Sequence, residues 1–242
     1  MTVTETAVLP NLRDLGGLPL PDGLQTRSGV LYRSALPVDG DATPTGVAEW
    51  PARTVVDLRS PREQATRAHP FDSADTLVHR IALMSDGEVA RPDPNFRLAD
   101  LYLRVLDRAG TQLAEILDVA ATAPGPILLH CAAGKDRTGI AVAMLLRVAG
   151  VGAAEVVDDY TATNDHMDAV LARITRFAPE LGRVHPTNRD LVGAPPEAIQ
   201  GVLDTWDAEP GGVRTWLLQR GATEDALERW TARFTEDDDT RR

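Results

Sequence analysis

Cys131 and Arg137 stand six residues apart in the stretch HCAAGKDRTG, residues 130–139, and Cys131 is the single cysteine of the chain. A thiolate is a strong nucleophile, and a guanidinium is a planar fork matched to two phosphate oxygens. Between them lie Ala132, Ala133, Gly134, Lys135 and Asp136: two small residues, a glycine that tolerates positive φ, and two charges. The apolar run ILLHC at 127–131 has the length of a short buried strand, and apolar residues follow at helical spacing over 137–149. A strand that gives way to a helix through so short a loop aims its backbone N–H groups at one point. The helix N-terminus adds positive potential there. The amides from Ala132 to Arg137 would then hold a tetrahedral oxyanion and also favour a thiolate. The pattern reads as a phosphate cradle, with a nucleophile below the phosphorus and a bidentate cation beside it.

Other thiol and phosphate chemistries fit the spacing less well. A Walker A loop needs G-x4-G-K-[S/T], but Leu129 replaces its first glycine and Asp136 its hydroxyl residue. A rhodanese-type sulfurtransferase usually has a loop one residue shorter. A papain-like protease needs a remote activating histidine, and nothing marks one. A lone cysteine beside a helix cap is most often a buried structural residue. Here the His, Gly, Arg, Thr and Gly at these positions weigh against that reading.

The elements that must position this loop are legible around it. GVLYRSA at 29–35, RTVVDLRS at 53–60 and TLVHRIAL at 76–83 read as strands; SDGEVARPDPN at 85–95 reads as a loop, with Asp-Gly and two prolines. From Phe96 the apolar spacing turns helical. Leu98, Leu101, Tyr102, Val105 and Leu106 share one face, and Leu113, Ile116, Leu117 and Ala120 mark a second helix that stops at Pro124-Gly125-Pro126. Beyond the cysteine the chain reads as helical, with breaks near Pro179, at 193–196, at 209–212 and at Gly221. Strands alternating with helices argue an α/β fold, a mostly parallel sheet flanked by helices, with additional C-terminal helices. One domain is expected, with an α/β core over about 10–165 and a helical lid or packing region over about 166–235.

Composition bounds the function. The chain has 242 residues, 43% hydrophobic and 25% charged, with a net charge of −11. So acidic a chain is a poor binder of a nucleic-acid backbone. One cysteine excludes an internal disulfide and a cysteine-rich zinc site, and a thiol kept alone suits a reducing compartment. The N-terminus shows no secretory signal, and no apolar run approaches the length of a membrane span, so a cytoplasmic protein is expected.

His130-Cys131-x5-Arg137-Thr138-Gly139 resembles the signature of the cysteine-dependent protein tyrosine phosphatase superfamily. NLRDLGG (11–17), YRSA (32–35), DLRSPRE (57–63) and DDYTATN (158–164) resemble, in order, the motifs of its bacterial branch that includes the mycobacterial secreted tyrosine phosphatase B. The likeness spans nearly the whole chain. It implies a metal-free enzyme without a cofactor that acts on phosphotyrosine, extending to phosphoserine/threonine and phosphoinositides, with inorganic phosphate as product and inhibitor. Cys131 would attack phosphorus, and Arg137 would bind the phosphate. Thr138 would support the thiolate and His130 would brace the loop. A general acid is expected from a mobile loop. Asp86 is the first choice, with Asp57 and Asp136 as alternatives. Asp57 otherwise has a structural part, and Arg59 and Glu63 either pair with each other or hold the loop from behind; Arg13 and Asp14 have modest claims to such a role. Lys135 either meets a second phosphate at the rim or pairs with a carboxylate such as Asp136. A phosphate-binding pseudophosphatase and a thiol sulfurtransferase are the alternative functions.

Overall fold

The computed structural model describes residues 8–72, 75–86, 97–178 and 192–235. Its sheet has five strands: β1 (Arg13–Asp14), β2 (Leu31–Ser34), β3 (Thr54–Asp57), β4 (Leu77–Arg80) and β5 (Ile127–His130). The order is β1-β2-β5-β3-β4; β1 pairs antiparallel with β2, and the other pairs are parallel. Leu31, Val55, Val56, Leu128 and Leu129 are fully buried, as strands covered on both faces require. The central β5 aligns His130 with Ser34 on one side and Asp57 on the other. The carboxyl ends of three parallel strands therefore meet at one edge, where open α/β sheets place their ligands.

The helices are α1 (Pro61–Thr66), α2 (Leu98–Arg108), α3 (Gly110–Thr122), α4 (Asp136–Val148), α5 (Ala153–Thr161), α6 (Met167–Phe177), α7 (Pro196–Asp207), α8 (Gly212–Leu218) and α9 (Glu224–Thr235). The apolar faces expected on α2 and α3 are the buried ones. The central helix α4 is buried almost all round. α7 packs on α2, and α9 packs on α3. The Trp230 indole on α9 donates to the Leu145 carbonyl of α4 at 2.9 Å. One hydrophobic cluster runs from the strands through Ile199, Leu203, Trp206, Leu217 and Trp230.

Two elements go beyond the sequence reading. β1 is only a two-residue pairing, too short for a period. α1 occupies what reads as an exit loop after β3. Pro61 looks like a breaker, but it stands at the first helical position, where its missing N–H costs nothing. Ser60 and Glu63 close a capping box around it. β4 is also shorter than its apolar run, because it is an edge strand with Leu77 exposed. Residues 87–95 of the expected loop, Phe96 and Pro179 lie outside the described residues.

If the later helices share one core with the sheet, Leu203→Ala should cost about 2–5 kcal/mol. Urea denaturation followed by tryptophan fluorescence and by far-UV circular dichroism should give one coincident transition, shifted to lower urea.

Candidate active site

The loop after β5 is shaped by what holds its carbonyls. The Cys131 carbonyl meets His130 Nδ1 at 3.2 Å, and the Ala132 carbonyl accepts the Leu36 N–H at 3.1 Å. The Asn11 amide donates to the Ala133 and Gly134 carbonyls, at 3.4 and 2.9 Å. Arg33 adds a 2.7 Å bond to the Gly134 carbonyl. Because a trans peptide points its C=O and N–H in opposite directions, the N–H groups of residues 132–135 face away from these partners. α4 begins at Asp136, so the amides of its first turn also lack an intrahelical acceptor. Gly134 has φ +66°, and a Cβ there would stand 2.2 Å from the Ser34 carbonyl oxygen. No other residue fits that turn without displacing β2. Cys131 is 1% exposed, at the base of the loop.

Asn11 is itself fixed. It takes φ +59°, a region asparagine tolerates, and its side-chain oxygen accepts from Arg13. Arg13 donates to the Asp159 carboxylate at 2.7 Å, and the other carboxylate oxygen pairs with the fully buried Arg33. Asp159, on α5, thus orients both side chains that hold the loop from behind. Asp14 instead closes a turn, accepting from Gly16 and Gly29.

The Arg137 guanidinium is clamped by both oxygens of Glu63. Burial alone would lower the Arg137 pKa, but Cys131 and Glu63 more than offset it and hold the group above its ordinary value. Burial would raise the Glu63 carboxyl; Arg137 outweighs it and lowers it. Glu63 also accepts the Ser60 N–H at 2.8 Å, so the α1 cap and the arginine clamp are one structure. Glu63 is not paired with the Arg59 guanidinium through its carboxylate. Arg59 binds Asp57 at 2.8 and 2.9 Å and reaches only the Glu63 backbone carbonyl. Asp57 also accepts the Arg59 N–H, a structural part. Its burial would raise the pKa, but His130 and Arg59 hold it at about 2. Beneath the loop, His130 Nε2 meets His69 Nε2 at 2.9 Å. Burial holds both imidazoles below their ordinary value, and with the neighbouring His130 it takes His69 to about 3.

Asp86 is exposed, and it accepts the Arg62 N–H at 3.2 Å, one residue before the glutamate that clamps Arg137. Asp136 accepts the Tyr102 hydroxyl at 2.8 Å, and Tyr102 meets the Tyr160 hydroxyl at 2.8 Å. Burial raises both phenols, and the Asp136 charge adds to it. Lys135 is 2% exposed; its ammonium donates to the Gly193 carbonyl at 2.6 Å and lies 3.4 Å from Asp136. This geometry supports the pairing reading of Lys135 over a free cation at the rim. Thr138 Oγ1 is buried without a hydrogen-bond partner among the described residues.

The sequence-predicted residues Cys131, Arg137, Glu63, Asp57, Arg59 and His130 come together at this one edge. Asn11, Arg33, Asp159 and His69 were missed as individuals. The first three lie inside the ordered motifs, so the motifs held the signal. His69 carries none, since an isolated histidine in a loop has no pattern.

Fold and loop together define a cysteine-dependent phosphatase: a central strand, a seven-residue Cys-to-Arg turn and a helix N-terminus. The model of the Tyrosine phosphatase family matches residues 4–236, and the chain belongs to that family. A tyrosine-protein phosphatase of Nostoc commune is 27% identical over 264 residues, covering 96% of this chain and 88% of the relative. The triple specificity protein phosphatase PtpB of Mycobacterium tuberculosis is 28% identical over 273 residues, covering 95% and 98%.

Two outcomes test this geometry. Gly134→Ala should destabilise the chain by about 2–4 kcal/mol, because it combines positive φ with a backbone clash; a thermal melt reads the loss. The second concerns acid. His69 at about 3 against an ordinary 6.5, and Asp57 at about 2 against 3.8, both bind fewer protons folded than unfolded. The stability that these two groups contribute is therefore full above pH 6.5 and falls away as the pH drops toward 3, with Asp57 adding to the loss below 3.8. Urea unfolding at pH values from about 7 to about 3.5 should show this slope.

Proposed function

We propose that the chain hydrolyses phosphate monoesters of proteins, phosphotyrosine above all, through a phosphocysteine on Cys131. One observation carries the reading: the loop after β5 has its carbonyls bonded outward and its arginine clamped by Glu63, around a thiol at its base. The Cys131 thiolate attacks phosphorus, forming the S–P bond as the ester P–O bond breaks. Arg137 and the loop amides hold the equatorial oxygens, where the charge of the transition state lies. Asp86 protonates the departing phenoxide or alkoxide. The resulting carboxylate then takes a proton from water as its oxygen attacks phosphorus. The S–P bond breaks, and inorganic phosphate leaves from the cradle it can also occupy as an inhibitor. Nucleophile, cation and acid are all side chains, so neither step calls for a metal or a cofactor.

The position of Asp86 against the first turn of α1 supports it as the acid. Asp136, tied to Tyr102 and Lys135, is the alternative in the loop itself. The word "triple" in the name of the mycobacterial relative supports breadth beyond phosphotyrosine, with phosphoserine, phosphothreonine and phosphoinositides as the esters to compare. Neither the pseudophosphatase nor the sulfurtransferase reading gains support from the relatives, which are named phosphatases. The described C-terminal helices support a packing role; α6 borders the loop, with Met167 and Val170 packed on Ala35 beside Ala133. Among the described residues no helix is long and apolar enough to cross a membrane. A lone, oxidisable thiolate fits the reducing cytoplasm.

Cys131→Ser should abolish turnover of an aryl phosphate, and measurable turnover in that variant would sink the reading. Arg137→Lys keeps the charge but loses the fork, and should lower kcat/KM by on the order of 10²–10³. Asp86→Asn should slow an alkyl ester far more than an aryl ester with a good leaving group. The same selective loss in Asp136→Asn, and not in Asp86→Asn, would move the acid into the loop.

A further inference from the structure

Two imidazoles lie behind the nucleophile, and only one belongs to the loop motif. His69 comes from the connection between α1 and β4, is 4% exposed, and stands edge-on to Phe71. Its Nδ1 accepts the Phe71 N–H at 3.2 Å. An accepting Nδ1 carries no proton, so the proton of a neutral His69 is on Nε2. That nitrogen faces His130 Nε2 at 2.9 Å, which must then be the acceptor. His130 is left with its proton on Nδ1, 3.2 Å from the Cys131 carbonyl. The chain of donors runs one way: Phe71 N–H to His69, His69 Nε2–H to His130, His130 Nδ1–H to the Cys131 carbonyl. Reversing it would set a His69 Nδ1–H against the Phe71 N–H, two donors face to face.

We propose that His69 is a positioning residue for the phosphatase reaction: it fixes the His130 tautomer that bonds the Cys131 carbonyl, and so keeps the Ala132 N–H turned into the phosphate cradle. The peptide between Cys131 and Ala132 is rigid, so holding its carbonyl on the His130 side sets its N–H on the other. Without His69, His130 Nε2 is a buried nitrogen that has lost its hydrogen-bond donor. The ring can then tautomerise or take a second proton, and the carbonyl loses a defined donor. The charged groups facing the pair are Asp57 on β3, 3.9 Å from His130 Nε2, Arg59 just after it, Arg80 on β4 toward His69 and Arg137 on α4 toward His130. The Asp57 carboxylate is occupied by Arg59, so it does not replace His69 as the partner.

Long-range 1H–15N correlation spectra of the full chain, with labelled imidazoles, test this directly. Wild type should show His130 protonated on Nδ1 alone and His69 on Nε2 alone, unchanged from pH about 8 to about 5. His69→Phe should abolish the single His130 tautomer and let that ring titrate in the same range. It should lower kcat on an aryl phosphate roughly tenfold with KM nearly constant, the effect of one lost hydrogen bond. His69→Gln, whose amide N–H can donate to His130, should restore both the tautomer and kcat. A wild-type His130 protonated on Nε2 overturns the proposal. So does a His69→Phe enzyme that melts lower yet keeps tautomer and kcat, or a His69→Gln enzyme that restores neither. If His69→Phe does not fold, the wild-type spectrum and the glutamine variant still decide. The kinetic arm rests on the phosphatase reading, whereas the tautomer does not, so wild type inert toward aryl phosphate would fail that reading alone.

Discussion

Four successive carbonyls, of residues 131–134, are bonded to groups outside the loop, and the chemistry depends on that. A loop of free peptides would sample many orientations, and closing it around an anion would cost the entropy of fixing each one. Here the partners come from several directions: His130 below, Leu36 after β2, Asn11 ahead of β1, and Arg33 within β2. On the proposed reading, these bonds hold the cradle in shape without help from a ligand, which is the condition for an electrostatic site to favour a transition state.

Three buried ion pairs stand around the loop and its supports, and they serve positioning more than stability. Arg33 with Asp159, Arg137 with Glu63, and Arg59 with Asp57 are nearly dry pairs. Such pairs contribute little net stability, since desolvation offsets their attraction, but removing one partner strands the other. They fix geometry at the edge where β2, β5 and β3 end in register. The Glu63 carboxylate shows the economy of the arrangement: the same group caps α1 and clamps Arg137. Arg137 is thereby presented as a planar fork in one orientation.

How much of this the sequence discloses depends on whether the signal is local. The strand-loop-helix turn, the Cys131–Arg137 spacing and the helical faces of α2 and α3 are short-range patterns and are legible at once. α1 hid behind Pro61, which reads as an end when it is a beginning. Asn11, Arg33 and Asp159 are legible only as members of motifs, because their work lies in contacts more than 100 residues away in sequence. Lys135 reads equally as a rim cation or as the partner of a carboxylate, and only the fold sets its ammonium on the Gly193 carbonyl beside Asp136. His69 could not be read at all, since its meaning comes from the ring it meets across the fold.

Titration of the 15N-labelled chain with inorganic phosphate, followed by amide chemical shifts, tests the central claim most directly. A preformed cradle predicts saturable shifts concentrated on the backbone amides of residues 132–137, with the Asn11 side-chain amide and the Arg33 guanidinium signals holding still. Phosphate binding that leaves those amides unmoved, or that shifts Asn11 and Arg33 as strongly as the loop, would contradict it.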